Sequence, residues 1–357
     1  MIHIITNFSG VGGAELMLIR LIKATPRNKH TVISLMSISD SFKKELSGFD
    51  VSFYELKARN MFEMSLCFFR LIPIIKKNSG TLFFWMYHAC AVSPLVRLIE
   101  PKRKIYFNIR HSLDSYVNEK RSTKVAMYLS KVMSKYVDGV IYCSDNARVQ
   151  HENYGFYPGN SIYIPNGYSF NDDYCPKCNN KEFFVIGMLG RFNEAKDFKN
   201  LLKSFKKTLS CYPDAFLKIG GKGVDHKNIE LMKIIDNLDI PKDKLELLGP
   251  VTDVNSFYRS LDLYVLSSRN EAFPNVLVEA MSNSLPVVST NVGDASLIIN
   301  NNDYLVPPSD SENLSNKILE FINMSELERN SIGIRNKELV LSKYSIECIS
   351  DMYLSLR

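Results

Sequence analysis

Short apolar runs alternate with longer amphipathic stretches along the whole chain, the pattern expected of parallel sheets covered by helices on both faces. In the first half the runs predict strands at 3–6 (HIIT), 31–36 (TVISLM), 51–56 (VSFYEL), 81–86 (TLFFWM), 104–109 (KIYFNI), 139–143 (GVIYC) and 161–166 (SIYIPN). The pattern restarts at 183–191 (FFVIGMLGR) and continues at 215–221, 244–249, 261–268 and 285–290. Between the halves, 171–182 (NDDYCPKCNNKE) is polar and irregular and reads as a linker. Two doubly wound, Rossmann-like α/β domains are therefore expected, at 1–170 and 183–344, followed by a last helix within 345–357.

Ligands of such sheets bind beyond the carboxyl ends of the strands, so the residues that follow each strand carry the chemistry. In 267–294 (SSRNEAFPNVLVEAMSNSLPVVSTNVGD), Glu271 and Glu279 are separated by seven residues, with a Pro-Asn-Val helix start between them. Pro274 suits a first helical position, which predicts that the amides of Asn275, Val276 and Leu277 lack intrahelical acceptors. Such amides and the helix dipole attract an anion. Arg191 follows the strand at 183–191 and can grip two phosphate oxygens through its planar fork, while Lys196 adds a mobile point charge. Together they match a diphosphate. The plainer alternatives are an amphipathic helix with two solvated acids, and surface cations paired with Glu194 and Asp197. After the first strand, GVGGAE (10–15) opens a helix; Gly12 and Gly13 would let backbone approach a ligand, or merely form a tight turn. It is not the dinucleotide fingerprint GxGxxG. His111 ends the strand at 104–109 in NIRHS, as a site residue or as a hydrogen-bonded structural histidine.

The glutamate pair, with Phe-Pro-Asn-Val between and Leu-Pro-Val-Val-Ser-Thr-Asn-Val-Gly after, resembles the donor signature of retaining glycosyltransferases of family 4, the group 1 glycosyl transferases of GT-B fold. That resemblance implies two Rossmann-like domains facing a central cleft, with the last helix crossing back to the first domain. It implies that Glu271 approaches the donor sugar, that Glu279 binds the ribose, and that Arg191 and Lys196 hold the diphosphate. Gly12 and Gly13 would reach the donor phosphate and acceptor, and His111 would lie near the reacting sugar. The loop LLGPVTD (247–253) matches the base rest, so Val251 joins Glu279 and Gly190 on the nucleoside. Ser144 and the Asn166-Gly167 turn also match, as a helix cap and a turn toward the linker. One departure is GGKGVD (220–225), where the family's Gly-x-Gly-Pro-like turn carries Lys222 among its glycines and Val224 in place of proline.

Charge and composition narrow the picture. Residues 1–170 hold 22 Lys and Arg against 12 Asp and Glu, whereas 171–357 hold 22 against 26, so the halves differ as +10 and −4. Two clusters stand out in the basic half: 57–78 (KARNMFEMSLCFFRLIPIIKKN) and 101–104 (PKRK). The first fits a helix lying on an anionic leaflet, with Phe62, Phe68 or Phe69 outward, and equally a helix packed on the sheet. No basic-aromatic nucleic-acid motif accompanies the charge. The seven cysteines are irregularly spaced, which suits a reducing compartment. Cys175 and Cys178 lack a second ligand pair for zinc. The start MIHIITNFSG reads as a strand and turn, not a targeting peptide, and no apolar run is long enough to span a bilayer. Hence the expected location is cytoplasmic, with peripheral attachment to the cytoplasmic face of the membrane.

The expected function is transfer, with retention, of a hexose or N-acetylhexosamine from a nucleoside diphosphate sugar, UDP-sugar favoured, to a glycan. The expected acceptor is a polyprenyl-diphosphate-linked oligosaccharide of surface polysaccharide assembly. No cofactor or metal is expected, since no Asp-x-Asp triplet occurs. A GT-B nucleotide-sugar epimerase and a non-catalytic nucleotide-sugar-binding partner subunit are the alternatives.

Overall fold

The computed structural model describes residues 1–10, 12–113, 116, 119–170 and 183–357. The chain divides into two compact units, Met1–Ser169 with Tyr344–Arg357, and Phe170–Lys343. The expected linker at 171–182, with Cys175 and Cys178, lies outside the described residues.

In the first unit the strands are β1 (Ile2–Ile5), β2 (His30–Ser34), β3 (Val51–Glu55), β4 (Leu82–Trp85), β5 (Ile105–Ile109), β6 (Gly139–Tyr142) and β7 (Ser161–Tyr163). They form one parallel sheet in the order β3-β2-β1-β4-β5-β6-β7. The second unit contains β8 (Phe184–Leu189), β9 (Ala215–Gly220), β10 (Leu245–Leu247), β11 (Leu263–Leu266), β12 (Val287–Thr290) and β13 (Leu305–Val306). Its sheet is also parallel, ordered β10-β9-β8-β11-β12-β13. All twelve apolar runs became strands; the two-residue β13 was not anticipated. The run at 161–166 stops at Tyr163, ahead of Pro165, whose nitrogen has no hydrogen to donate to a ladder.

Strands β1, β2, β4, β5 and β6 are buried throughout, because helices cover both faces of the sheet. On one face Phe84, Phe107, Leu71, Ile75 and Met127 share a core. On the other, Phe83 and Trp85 pack with Met17 and Leu18 of the helix Gly13–Ala24 and with Ile346, Ile349 and Tyr353 of the helix Ile346–Ser355. That C-terminal helix is tied at its start, where Ile346 N–H donates to the Tyr168 carbonyl at 2.8 Å. Deeper in, the Tyr353 ring stacks on Trp85 at 6.2 Å, and Asn108 donates to the Tyr353 hydroxyl at 2.6 Å.

Each sheet reverses its strand order once, between β1 and β4 and between β8 and β11, and such reversals leave a crevice at the carboxyl edge. In the second unit the loops flanking this crevice carry Lys196 and Glu271.

The first unit also buries a chain of neutral polar side chains. Trp85 Nε1–H donates to His3 Nδ1 at 3.3 Å, so His3 carries its proton on Nε2 and points it at His30 Nδ1, 3.1 Å away. His30 Nε2 then faces the Thr25 hydroxyl at 3.0 Å, which donates to the Leu21 carbonyl at 2.6 Å. Every proton in this series has an acceptor, and an added one has none. Burial, then the neighbouring His30, holds His3 well below the ordinary imidazole range. Burial, then the N-terminal ammonium, lowers His30 to about 4. A folded pKa below the unfolded one leaves stability intact above pH ~6.5 and erodes it as pH falls toward the folded value. Trp85 is the only tryptophan in the chain, so its fluorescence reports on this site. The melting temperature read at Trp85 is expected to fall steadily from pH 6.5 to pH 4.5; a flat profile over that range would contradict the buried neutral pair.

Candidate functional site

Strand β8 ends at Leu189, and the residues after it are laced to those after β9. Gly190 N–H donates to the Gly220 carbonyl and Phe192 N–H to the Lys222 carbonyl, both at 2.9 Å. Gly221 has φ +138, and a Cβ there would run into the Gly190 carbonyl, so the approach of the two loops requires glycine. In the divergent turn at 220–225, Val224 N–H donates to the Gly221 carbonyl at 3.0 Å, a bond that proline could not make. The turn closes through this backbone hydrogen bond. Val251 packs against the end of β9, its Cγ2 lying 2.6 Å from where a Gly220 Cβ would be, and Gly221 N–H donates to the Gly249 carbonyl at 2.7 Å.

Arg191 is exposed and has no ion-pair partner among the described residues. Lys196 closes a short 3₁₀ turn, Glu194–Lys196, capped by Asn193. Its stem crosses Gly190, where a Cβ would sit 3.2 Å from the lysine Cδ. The ammonium ion-pairs with the Glu271 carboxylate, and the two side chains are only 17% and 14% exposed. Ser268 donates to the same carboxylate oxygen at 2.7 Å. Two predicted site residues, one from each strand at the order reversal, thus meet directly.

A second bridge holds the same loops together. Asp197, in left-handed conformation with φ +44, is buried and accepts from Arg269 Nε at 2.7 Å, from Ser309 at 2.9 Å and from Asn200 N–H at 3.2 Å. Arg269 N–H donates to the Ala195 carbonyl at 2.7 Å, and the Ser267 hydroxyl lies 3.0 Å from the Lys196 carbonyl. Glu194 and Asp197 therefore pair with Arg269, and not with Arg191 or Lys196 as in the surface-cation alternative. From the far side, Thr290 donates to the Ser268 carbonyl at 2.6 Å.

The helix after Glu271 runs Asn275–Ser282 with Pro274 as its N-cap, so it starts one residue later than expected. Asn275 N–H donates to the Phe273 carbonyl at 2.9 Å and Leu277 N–H to the Pro274 carbonyl at 3.0 Å. The expectation of three amides without acceptors is corrected to one, Val276. The cause is the tight turn at Phe273, which Pro274 at φ −74, ψ 84 makes just outside the helix. Glu279, in the second turn, accepts a hydrogen bond from the Tyr258 hydroxyl at 3.1 Å.

The remaining candidates belong to the first unit. Gly12 caps the helix that Gly13 begins, and Glu15 folds back over Gly12, filling the space that a Cβ would take. Burial raises the Glu15 carboxyl above its ordinary value. His111 Nε2 faces Glu119 Oε1 at 3.0 Å, with its ring edge-on to Tyr87. Ser144 caps the helix Asp145–Tyr154 by accepting from Ala147 N–H at 3.1 Å. At the Asn166-Gly167 turn the Gly167 carbonyl accepts from Arg20 at 3.0 Å.

The model of the group 1 glycosyl transferases matches residues 176–338. Over 173 residues, 46% of this chain and 43% of the relative, the sequence is 31% identical to the capsular polysaccharide biosynthesis glycosyltransferase CapM of Staphylococcus aureus. Over 174 residues, 48% of this chain and 49% of the relative, it is 27% identical to the lipopolysaccharide core biosynthesis glycosyltransferase LpsE of Rhizobium meliloti. The chain spans about half the length of the curated relatives it matches. Among solved structures it is similar to Anabaena HepE in complex with UDP, with a TM-score of 0.82, 20% identity and 99% of each chain covered. The second half of the chain is thus similar to the group 1 glycosyl transferases, and the chain has the GT-B fold.

The second unit can do two things chemically. A cation held at Lys196, an unpaired guanidinium at Arg191 and the Val276 amide can stabilise phosphate charge. The Glu271 carboxylate, fixed by Ser268, can accept hydrogen bonds from sugar hydroxyls once Lys196 turns to phosphate. Sequence reasoning did not anticipate Ser267, Ser268, Arg269, Tyr258, Thr290 or Ser309, which hold the site together. Placement directly after β11 was a signal for Ser267, Ser268 and Arg269 only; Tyr258 precedes that strand, Thr290 ends β12 and Ser309 follows β13. Gly293 supports Glu271 directly: it has φ +52, and a Cβ would strike the carbonyl oxygens of Glu271 and Ala272. Gly293→Ala is expected to cost more than the ~1–2 kcal/mol of left-handed backbone alone and to displace Glu271. The check is a lower denaturation midpoint with weaker nucleotide binding; an unchanged midpoint would contradict the close approach.

Proposed function

We propose that the chain moves a hexose or N-acetylhexosamine from a nucleoside diphosphate sugar to a glycan, with retention of anomeric configuration and without a metal. The observation that carries this reading is the Lys196 to Glu271 pair at the β8/β11 reversal, inside the segment matched to group 1 glycosyl transferases. A uridine donor is favoured because HepE, of the same fold, is described in complex with UDP and with UDP-glucose. A lipid-linked oligosaccharide acceptor in surface polysaccharide assembly is supported by relatives named for capsule and lipopolysaccharide core synthesis.

Cleaving the bond between sugar and diphosphate builds positive character on the anomeric carbon and negative charge on the leaving phosphate. Lys196 and Arg191 neutralise that phosphate, with the Val276 amide as a third donor. Glu271, released from Lys196 as the diphosphate takes over the ammonium, orients the donor sugar. Glu279 and Val251 take the nucleoside with Gly190. Glu271 and Glu279 lie on one loop-helix element, whereas paired hydrolytic carboxylates flank the scissile bond. A front-face path follows: the acceptor oxygen bonds to the anomeric carbon as the bond to phosphate oxygen breaks, and the acceptor's proton passes to that oxygen. His111 and the Gly12-Gly13 turn serve the acceptor side.

The test is incubation of the protein with labelled UDP-hexoses and a lipid-extracted glycan acceptor, with the product anomer read by NMR. The expected product keeps the donor's anomeric configuration, and Lys196→Ala or Arg191→Ala lowers turnover by about 10²–10³; the melting curve is unchanged in Arg191→Ala and moves down in Lys196→Ala, which leaves Glu271 without its counter-charge. Near-normal turnover in both variants would refute the diphosphate assignment. Isomerised donor without acceptor would identify an epimerase instead.

A further inference from the structure

In the segment expected to meet a membrane, 57–78, one face packs into the core while Phe69 stays 74% exposed. Its helix Phe68–Lys77 buries Leu71, Ile72 and Ile75, and Arg70 donates to the Leu56 carbonyl. Among the described residues, the most continuous exposed apolar stripe lies elsewhere in the first unit. The helix Arg121–Met133 buries Ala126, Met127 and Ser130 against the sheet. Outward it turns Val125, Tyr128, Leu129 and Val132, and Tyr136 extends the row in the next turn; all are more than 40% exposed. The spacing of three and four residues sets them on one face.

Charge distinguishes this stripe from an ordinary surface. Residues 120–137 contain five Lys and Arg and no Asp or Glu. Lys131 lies over the Tyr128 ring at 4.8 Å and Lys135 over the Tyr136 ring at 5.2 Å, so ammonium groups and apolar side chains share one surface. The acids at either end are already used, Glu119 by His111 and Asp138 by Arg97. We infer that this helix is the docking face for an anionic lipid surface, with Val125, Leu129 and Val132 entering the headgroup boundary and the lysines meeting lipid phosphates. A second copy of the chain is the poorer occupant, because self-association would press two acid-free cationic faces together. The helix follows the loop of His111 and Glu119, so its first turn lies at the carboxyl edge of the sheet. A lipid plane there meets the acceptor side of the molecule. The inference goes beyond the transfer reading and stands without it.

The experiment is flotation of the full chain with vesicles of phosphatidylglycerol or of phosphatidylcholine alone, at low and high salt. Binding to the anionic vesicles, weakened by salt and absent on the neutral ones, is expected. Lys131→Gln with Lys135→Gln should lower affinity about 25-fold, roughly fivefold per cation, and Val125→Asn with Val132→Asn should abolish it. Phe69→Ser should leave binding unchanged. UDP binding measured on each variant should also stay at the wild-type value, which separates failure of this inference from failure of the transferase reading and reports that the variants are folded. The inference is overturned if wild type ignores anionic vesicles, if Phe69→Ser rather than the helix variants releases it, or if Val132→Asn converts a dimer to a monomer.

Discussion

One constraint organises the second unit: two loops that leave neighbouring strands at an order reversal must stay within hydrogen-bonding distance while presenting opposite charges. Asp197 and Arg269 supply the fixed link, buried on the acid's side and exposed on the guanidinium's. Lys196 and Glu271 supply the adjustable one. A partly buried ion pair resists loss of one partner because the other is left without counter-charge. In the proposed reaction, exchange of Glu271 for a diphosphate would keep Lys196 compensated throughout. The pair is a packing contact and, on that proposal, a cation held in readiness.

The same loops explain where glycine is needed. Gly221 and Gly293 sit at left-handed φ with carbonyls where a Cβ would be, and each brings a loop against the segment bearing Lys196 or Glu271. Backbone donors and acceptors, more than side chains, set the distance between the strand ends. The serines at 267 and 268 complete the set by tying β11's exit to Lys196 and Glu271.

Much of this was legible in the sequence because parallel strands buried on both faces announce themselves as unbroken apolar runs. β13 was not, since two residues, Leu305 and Val306, carry no pattern. Lys196 and Glu271 could be picked out by residue type and by position after a strand. Their direct contact could not, because 75 residues separate them and only the strand order brings them together. The role of Asp197 was hidden for another reason: a left-handed aspartate looks in sequence like any exposed acid beside a lysine. At Pro274, helix propensity pointed to the right turn and missed the boundary by one residue, which changed the count of unpaired amides. The run 57–78 was conspicuous for its composition, yet its apolar side chains at 71, 72 and 75 face the sheet. The stripe on 121–136 was inconspicuous because lysines interrupt it.

The central claim is that Lys196 is a diphosphate ligand held in waiting by Glu271. Calorimetric titration with uridine diphosphate, which lacks the sugar, tests it most directly by comparing Lys196→Met with Glu271→Gln. Loss of the ammonium should weaken binding by more than tenfold, whereas neutralising the glutamate should leave affinity equal or higher because it frees the ammonium. Equal losses in the two variants, or wild-type affinity in Lys196→Met, would contradict it.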